Sequence, residues 1–270
     1  MSESAHPGWL LQSEYAVRCE WGPNAIEALA PHCDVVVVVD VLSFSTSVDI
    51  ATARGAQVFP YRFRDASAAA FASAAAFARE QGALLAGDNP HGYTLKPASL
   101  VNIEPGCRLV LPSPNGSTLS LATGPARTLA GCFRNRSAVA RDAASHAAAG
   151  GTGNGGTILV VPAGERWKSD DSLRPAWEDA CGAGAVIDAL PASLSLSPEA
   201  EAAARLFRDC SGGLARRLAD CTSGREKAHR GDMADVALAA ALDVSQNVPV
   251  LENGAYCSAS SSTSASTRSG

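Results

Sequence analysis

The chain has 270 residues, with 22 basic and 27 acidic side chains, a net charge of -5 and 46% hydrophobic content. That size and apolar share suit one large α/β domain or two small ones around a packed core, and the acidic balance leaves no basic footprint for nucleic acid. No apolar run approaches the roughly 18 to 20 residues of a membrane span, and the opening MSESAHPGWL lacks the basic and apolar regions of a signal peptide, so a cytoplasmic location is expected.

In chain order, residues 1–12 read as a flexible tail and residues 15–22, YAVRCEWG, as an alternating strand ending on glycine. A short helix over 24–29 leads into DVVVVVDVLSFSTSVD at 34–49. Its five consecutive valines, with no polar alternation, predict a strand buried on both faces. Asp40 ends that strand, and the hydroxyls Ser43, Ser45, Thr46 and Ser47 precede a helix expected to start near Ser45 or Thr46 and stop at Gly55. Ligands of open α/β sheets bind outside the carboxyl ends of strands, where helix N-termini offer N–H groups to anions. Asp40 therefore stands where chemistry is expected.

Residues 56–61, AQVFPY, predict the next strand, and Asp65 a cap for an alanine-rich helix to Gln81. A short apolar stretch, 83–88, leads into the loop NPHGYTLKPASL, where His91 reads as a surface residue. Residues 108–118, RLVLPSPNGST, repeat the earlier design of apolar strand, hydroxyl-rich turn and helix, and residues 126–132 and 134–148 give a further strand and helix. The glycine-rich segment 150–156 has a helix before it and a strand after it, the reverse of a dinucleotide fingerprint, and reads as a connector. TILVVPAGERW at 157–167 is a third strand ending in polar groups, here Glu165 and Arg166. A helix over 174–190 carries Glu178 and Asp179 near its start, and Gly182 and Gly184 permit close backbone approach. Residues 198–242 read as helices broken at Gly212, Gly213, Gly224 and Gly231, VPVLENG as a last short strand, and 258–270 as a disordered tail. The expected architecture is one α/β domain over 13–257, layered α/β/α, with a largely parallel or mixed sheet.

The eight cysteines form no C-x-x-C pair and have no histidine at zinc-site spacing, so they read as reduced thiols, with Cys181 a packing residue. No G-x-x-x-x-G-K-[ST] loop and no G-x-S-x-G elbow occurs. The second aspartate of a haloacid-dehalogenase-type phosphatase is also missing, since Leu42 stands two residues after Asp40.

EWG at Glu20, Asp-Val-Leu at Asp40, P-N-G-S around Asn115, PAGE at Pro162, EDACGAGA at Glu178, GDMADV at Gly231 and VPV at Val248 occur in an order and spacing that resemble the 2-phosphosulfolactate phosphatase (ComB-like) family. The resemblance implies an α/β fold and magnesium-dependent hydrolysis of a small anionic phosphomonoester, with 2-phosphosulfolactate as the family's named substrate and 3-sulfolactate and phosphate as products. The chain departs from the family at Ser43 and Asn89, where arginine is common. Arginine grips phosphate or sulfonate with a bidentate fork that serine and asparagine cannot reproduce.

Phosphoryl transfer needs a hard cation, donors aimed at the equatorial oxygens and an oriented nucleophile. Asp40, Glu165, Glu178 and Asp179 are the candidate catalytic acids, with Asp40 and Glu178 as candidate magnesium ligands. Ser45, Thr46, Asn115, Gly116, Ser117 and Arg166 are the candidate substrate-binding residues. Each has a bland alternative: strand-end and cap hydroxyls ordinarily satisfy their own turns, Asn-Gly is ordinary turn chemistry, and first-turn acids complement a helix dipole. The competing functional expectation is a non-catalytic anion-binding or regulatory paralogue of the same fold. The expected partner is a small phosphoester, with no nucleic acid or membrane, and a homo-oligomer is left open.

Overall fold

The structure is a computed structural model that describes residues 7–63, 67–150 and 156–259. In chain order, its elements are β1 (Val17–Cys19), α1 (Gly22–Leu29), β2 (Val35–Val39), α2 (Phe44–Ala53), β3 (Gln57–Arg62), α3 (Ala68–Glu80), β4 (Leu84–Leu85), α4 (Pro97–Leu100) and β5 (Arg108–Ser113). Then come α5 (Gly116–Ser120), β6 (Arg127–Ala130), α6 (Arg136–Ala148), β7 (Ile158–Pro162), β8 (Glu165–Arg166), β9 (Leu173–Arg174) and α7 (Trp177–Asp188). The chain closes with α8 (Pro198–Cys210), α9 (Leu214–Asp220), α10 (Thr222–His229), α11 (Met233–Ala239), β10 (Pro249–Glu252) and β11 (Ala255–Ser258).

Nine strands form one mixed sheet in the order β1-β7-β2-β6-β10-β11-β3-β5-β4. The β10–β11 hairpin pairs antiparallel with β6 on one side and β3 on the other, joining two halves that are each parallel within themselves. The valine run of β2 lies between β7 and β6, and all five valines are fully buried. Side chains alternate between faces along a strand. Val35, Val37 and Val39 accordingly pack with residues of α6, α7 and α8, and Val36 and Val38 with residues of α1. Both faces of the strand are thereby covered by helices, which is the layered α/β/α architecture expected from the pattern.

Several boundaries differ from the sequence expectation for identifiable reasons. Ser67 caps α3 by accepting the Ala70 N–H at 3.2 Å; Asp65, expected in that role, and most of the 150–156 connector lie outside the described residues. The first six residues of the expected N-terminal tail are also outside them, while Gln12 is buried and exchanges hydrogen bonds with the backbone of Cys19. Helix α7 starts three residues later than expected because Leu173 and Arg174 pair with Arg166 and Glu165 as a two-stranded ribbon. Gly224 does not break the helical region but lies within α10, where its bare Cα lets the helix press on the Leu218 carbonyl; the break falls at Cys221. The final strand is in fact a hairpin, β10–β11, turning at Asn253 and Gly254, both with positive φ.

The close approach expected at Gly182 and Gly184 is present. A Cβ on Gly182 would meet Val41 Cγ2 at 2.6 Å, and one on Gly184 would collide with the backbone carbonyl of Ala203 in α8. Backbone cannot yield as a flexible side chain can, and overpacking of this kind costs about 1–3 kcal/mol. Gly184→Ala is expected to lower the urea unfolding midpoint by an amount corresponding to that range. An unchanged midpoint would mean that α7 and α8 are not packed as described.

Candidate active site

Asp40 is the hub of the site. Its carboxylate accepts the Phe44 N–H on Oδ1 at 3.2 Å and the Gly116 N–H on Oδ2 at 2.9 Å. The first turns of α2 and α5 therefore hold this carboxylate rather than presenting those donors to a ligand. The Phe44 ring occupies the space that any side chain at 116 would need, which explains the glycine in the Asn-Gly turn.

The hydroxyls predicted to bind substrate serve this turn instead. Ser45 Oγ donates to the Val38 carbonyl at 3.0 Å and accepts the Asp40 N–H at 3.0 Å; Thr46 Oγ1 donates to the Val41 carbonyl at 2.8 Å. Ser117 Oγ donates to the Leu111 carbonyl at 2.9 Å. All three side chains are fully buried and donate their protons to backbone carbonyls, which is what turn and cap hydroxyls ordinarily do.

The four predicted acids separate into two groups. Asp40 and Glu165 line one cleft of about 220 Å³, together with Ser43, Asn115, Leu95, Ser223, Glu226, Lys227 and Arg230. Asp179 is buried behind it, accepting the Val41 N–H on Oδ1 at 2.8 Å and the Gly164 N–H on Oδ2 at 2.9 Å, so it fastens the end of β2 to the turn after β7. Glu178 is also buried, with the Cys221 thiol donating to its Oε2 at 3.3 Å. Neither is among the residues lining the cleft. Arg166 faces a neighbouring groove with Arg62 and Thr118 and donates to the Asp171 carbonyl at 2.8 Å. Asn115 and Glu165 border both hollows, joined by a 3.0 Å hydrogen bond from Asn115 Nδ2 to Glu165 Oε2.

Two departures from the family pattern have different consequences. Asn89 is occupied in its own loop, donating to the Leu85 and Tyr93 carbonyls at 2.8 Å each. Ser43 instead lines the cleft. The cations there come from α10, as Lys227 and Arg230, residues the sequence reading treated only as part of a helix. Their signal was the basic spacing Arg225, Lys227, Arg230 following Ser223-Gly224. Cys181 is a packing residue as expected: it is fully buried, and burial pushes its thiol up to about 12.

Burial raises the Asp40 carboxyl from its ordinary 3.8 to about 6 against the pull of its two N–H donors, with the charge of Glu178 adding to the rise. Burial likewise raises Glu165 from 4.5 to about 7, and the neighbouring Asp40 charge adds to it. Desolvation and like-charge repulsion both disfavour ionisation, and a cation at the cleft would relieve both. Among the described residues no three His, Cys, Asp or Glu side chains gather as a metal cluster. Asp40, Ser43, Asn115 and Glu165 nevertheless bring oxygen atoms to the cleft, and magnesium ordinarily takes one or two carboxylates with waters and substrate phosphate. That donor chemistry fits magnesium.

The 2-phosphosulpholactate phosphatase family model matches residues 23–254. The chain belongs to this phosphatase family. No curated protein gives a significant match. The match spans every element from α1 to β10, including Asp40, Asn115, Glu165 and α10, and so supports phosphoester hydrolysis as the class of chemistry. No helix among the described residues is long and apolar enough to cross a membrane.

The raised carboxyls have a consequence for stability. In the unfolded chain they lose their protons near pH 4, whereas in the folded protein they keep them to about 6 and 7. The folded state therefore binds more protons between these values, so stability falls as pH rises through them. Without divalent cations, the urea midpoint is expected to fall from pH 5 to pH 8. Asp40→Asn should make that fall shallower, since it removes one buried ionisation and the like charge beside Glu165. A wild-type midpoint that is flat or rises over this interval would contradict the assignment.

Proposed function

We propose that this family member is a magnesium-dependent phosphatase acting at the Asp40–Glu165 cleft on a small anionic phosphomonoester, 2-phosphosulfolactate or a related compound. The observation that carries the proposal is that Asp40 and Glu165, alone among the four predicted acids, line one cleft, with cationic side chains of α10 lining it too. In this reading Asp40 would hold the magnesium, and the charge of Glu178 adds to the negative potential at that carboxylate. When bound, the metal neutralises charge on the transferring phosphoryl group.

The chain's own residues supply the remaining functions. Asn115 Nδ2 fixes Glu165 through Oε2, which leaves Oε1 to accept the proton of the attacking water. A carboxyl near 7 is suited to that task, because a general base works best with its pKa close to the operating pH. Ser43 offers a hydroxyl to substrate oxygens from the same wall. Asp179 acts through the backbone: it holds the chain around Val41 and Gly164, and thereby the relative positions of Asp40 and Glu165. The eight free cysteines accord with a reducing, cytoplasmic setting.

The expected result is phosphate release from a panel of small phosphomonoesters that includes 2-phosphosulfolactate, present with magnesium and absent with EDTA. Asp40→Asn should reduce kcat by at least about 100-fold, the scale of losing a principal electrostatic contribution to the transition state, with the far-UV spectrum retained. A fully active Asp40→Asn would sink the site. Anion binding without any turnover in the wild type would instead favour the regulatory paralogue.

A further inference from the structure

Ser223 is 5% exposed and lines the cleft, yet its Oγ has no hydrogen-bond partner among the described residues. A buried hydroxyl left without a partner is destabilising, so its place on the cleft wall calls for a ligand acceptor. Lys227 lies one turn further along α10, and Arg230 follows directly after the helix; both line the same cleft. Lys227 is held in place by a 2.9 Å ion pair from Nζ to the buried Asp235, whose other oxygen accepts the Ala98 N–H at 3.0 Å. Arg230 is exposed. The cleft thus carries the acids Asp40 and Glu165 together with two cations and an unsatisfied hydroxyl from α10, whose one acid there is the exposed Glu226.

We propose that Ser223, Lys227 and Arg230 are the specificity-determining residues of this enzyme, binding the acidic group of the substrate that does not react. This rests on the phosphatase reading given above for the cleft. The reacting phosphoryl group belongs at Asp40, which would hold a magnesium able to neutralise its charge; a sulfonate or carboxylate carried on the same small molecule is received by α10. A sulfonate or carboxylate offers acceptor oxygens only, which matches a hydroxyl, an ammonium and a guanidinium as donors.

Lys227→Ala would strand the buried Asp235 charge, so the informative variants are Ser223→Ala and Arg230→Ala. The first experiment is calorimetric titration of the full chain with sulfoacetate, which carries two acidic groups and no phosphate. Wild type is expected to bind, with Kd raised at least about tenfold in each variant. Absence of binding by wild type, or equal binding by the variants, would overturn the assignment. This arm needs no turnover, so it stands or falls separately from the phosphatase reading.

The second experiment compares kcat/KM for 2-phosphosulfolactate with that for ethyl phosphate. The ratio should fall at least about tenfold in both variants, chiefly through KM for 2-phosphosulfolactate. Equal losses on both esters would place the phosphate, not the second acid, on α10 and would overturn the proposal. Stability separates binding from structure: removing an unsatisfied buried hydroxyl should leave the Ser223→Ala unfolding midpoint equal to or above wild type. A lowered midpoint would show that the hydroxyl serves the fold and would remove it from the subsite.

Discussion

Four backbone N–H groups and two buried carboxylates set the geometry on which the site depends. Asp40 receives N–H groups from Phe44 and Gly116, and Asp179 receives them from Val41 and Gly164. An isolated buried carboxylate is strongly disfavoured, and charge-assisted hydrogen bonds are the compensation available inside a protein. Satisfying these charges therefore requires the end of β2, the starts of α2 and α5, and the turn after β7 to meet at one place. The chain separations involved, 76 residues from Asp40 to Gly116 and 138 from Val41 to Asp179, make the junction a product of the whole fold. Displacing any of these segments would leave a buried charge or N–H group without its partner.

The same junction separates acids that look alike in sequence. Glu178 and Asp179 are adjacent in α7, and both are buried, yet only Asp179 spends its two oxygens on backbone N–H groups. Asp40 does the same and additionally reaches the cleft. Glu165 has a side-chain donor in Asn115 on one oxygen, with the other left for chemistry. Burial alone does not separate these acids. What distinguishes Asp40 and Glu165 is their access to the cleft.

Much of the fold was legible because it follows from local pattern. The valines 35–39 specify a doubly covered strand, the strand-turn-helix repeats specify α/β layering, and Gly182 and Gly184 signal the tight α7–α8 contact. The inserted hairpin was only half legible: Asn253-Gly254 is a strong hairpin-turn signal, but AYCS abuts a low-complexity serine stretch that obscures it. The site was less legible. Asp40, Glu165 and Asn115 could be picked out as polar residues ending apolar strands, and they do line one cleft. Ser45, Thr46 and Ser117 share the same signal but point inward, because a hydroxyl in a buried turn finds a carbonyl before it finds a ligand. The spacing of Arg225, Lys227 and Arg230 after Ser223-Gly224 marks a basic stretch, but nothing in a helical segment 183 residues after Asp40 indicates which cleft it will cover.

The helical segment from α9 to α11 has little sheet to rest on, and its attachment explains why the cleft has a cationic side. Lys227 binds Asp235, Asp235 binds the N–H of Ala98 in α4, and Lys96 binds Asp232 at 2.7 Å. These contacts moor α10 and α11 to the loop before β5. The mooring uses the GDMADV acids structurally and leaves the Ser223 hydroxyl without a protein acceptor. Surface ion pairs such as Lys96–Asp232 are individually weak, but the Lys227–Asp235 pair is largely buried, and breaking it would leave an uncompensated charge. Lys227 therefore has a structural duty that fixes its position, while Arg230 has none in the described contacts. The cleft is thus lined by one cation fixed by a buried ion pair and one that is exposed.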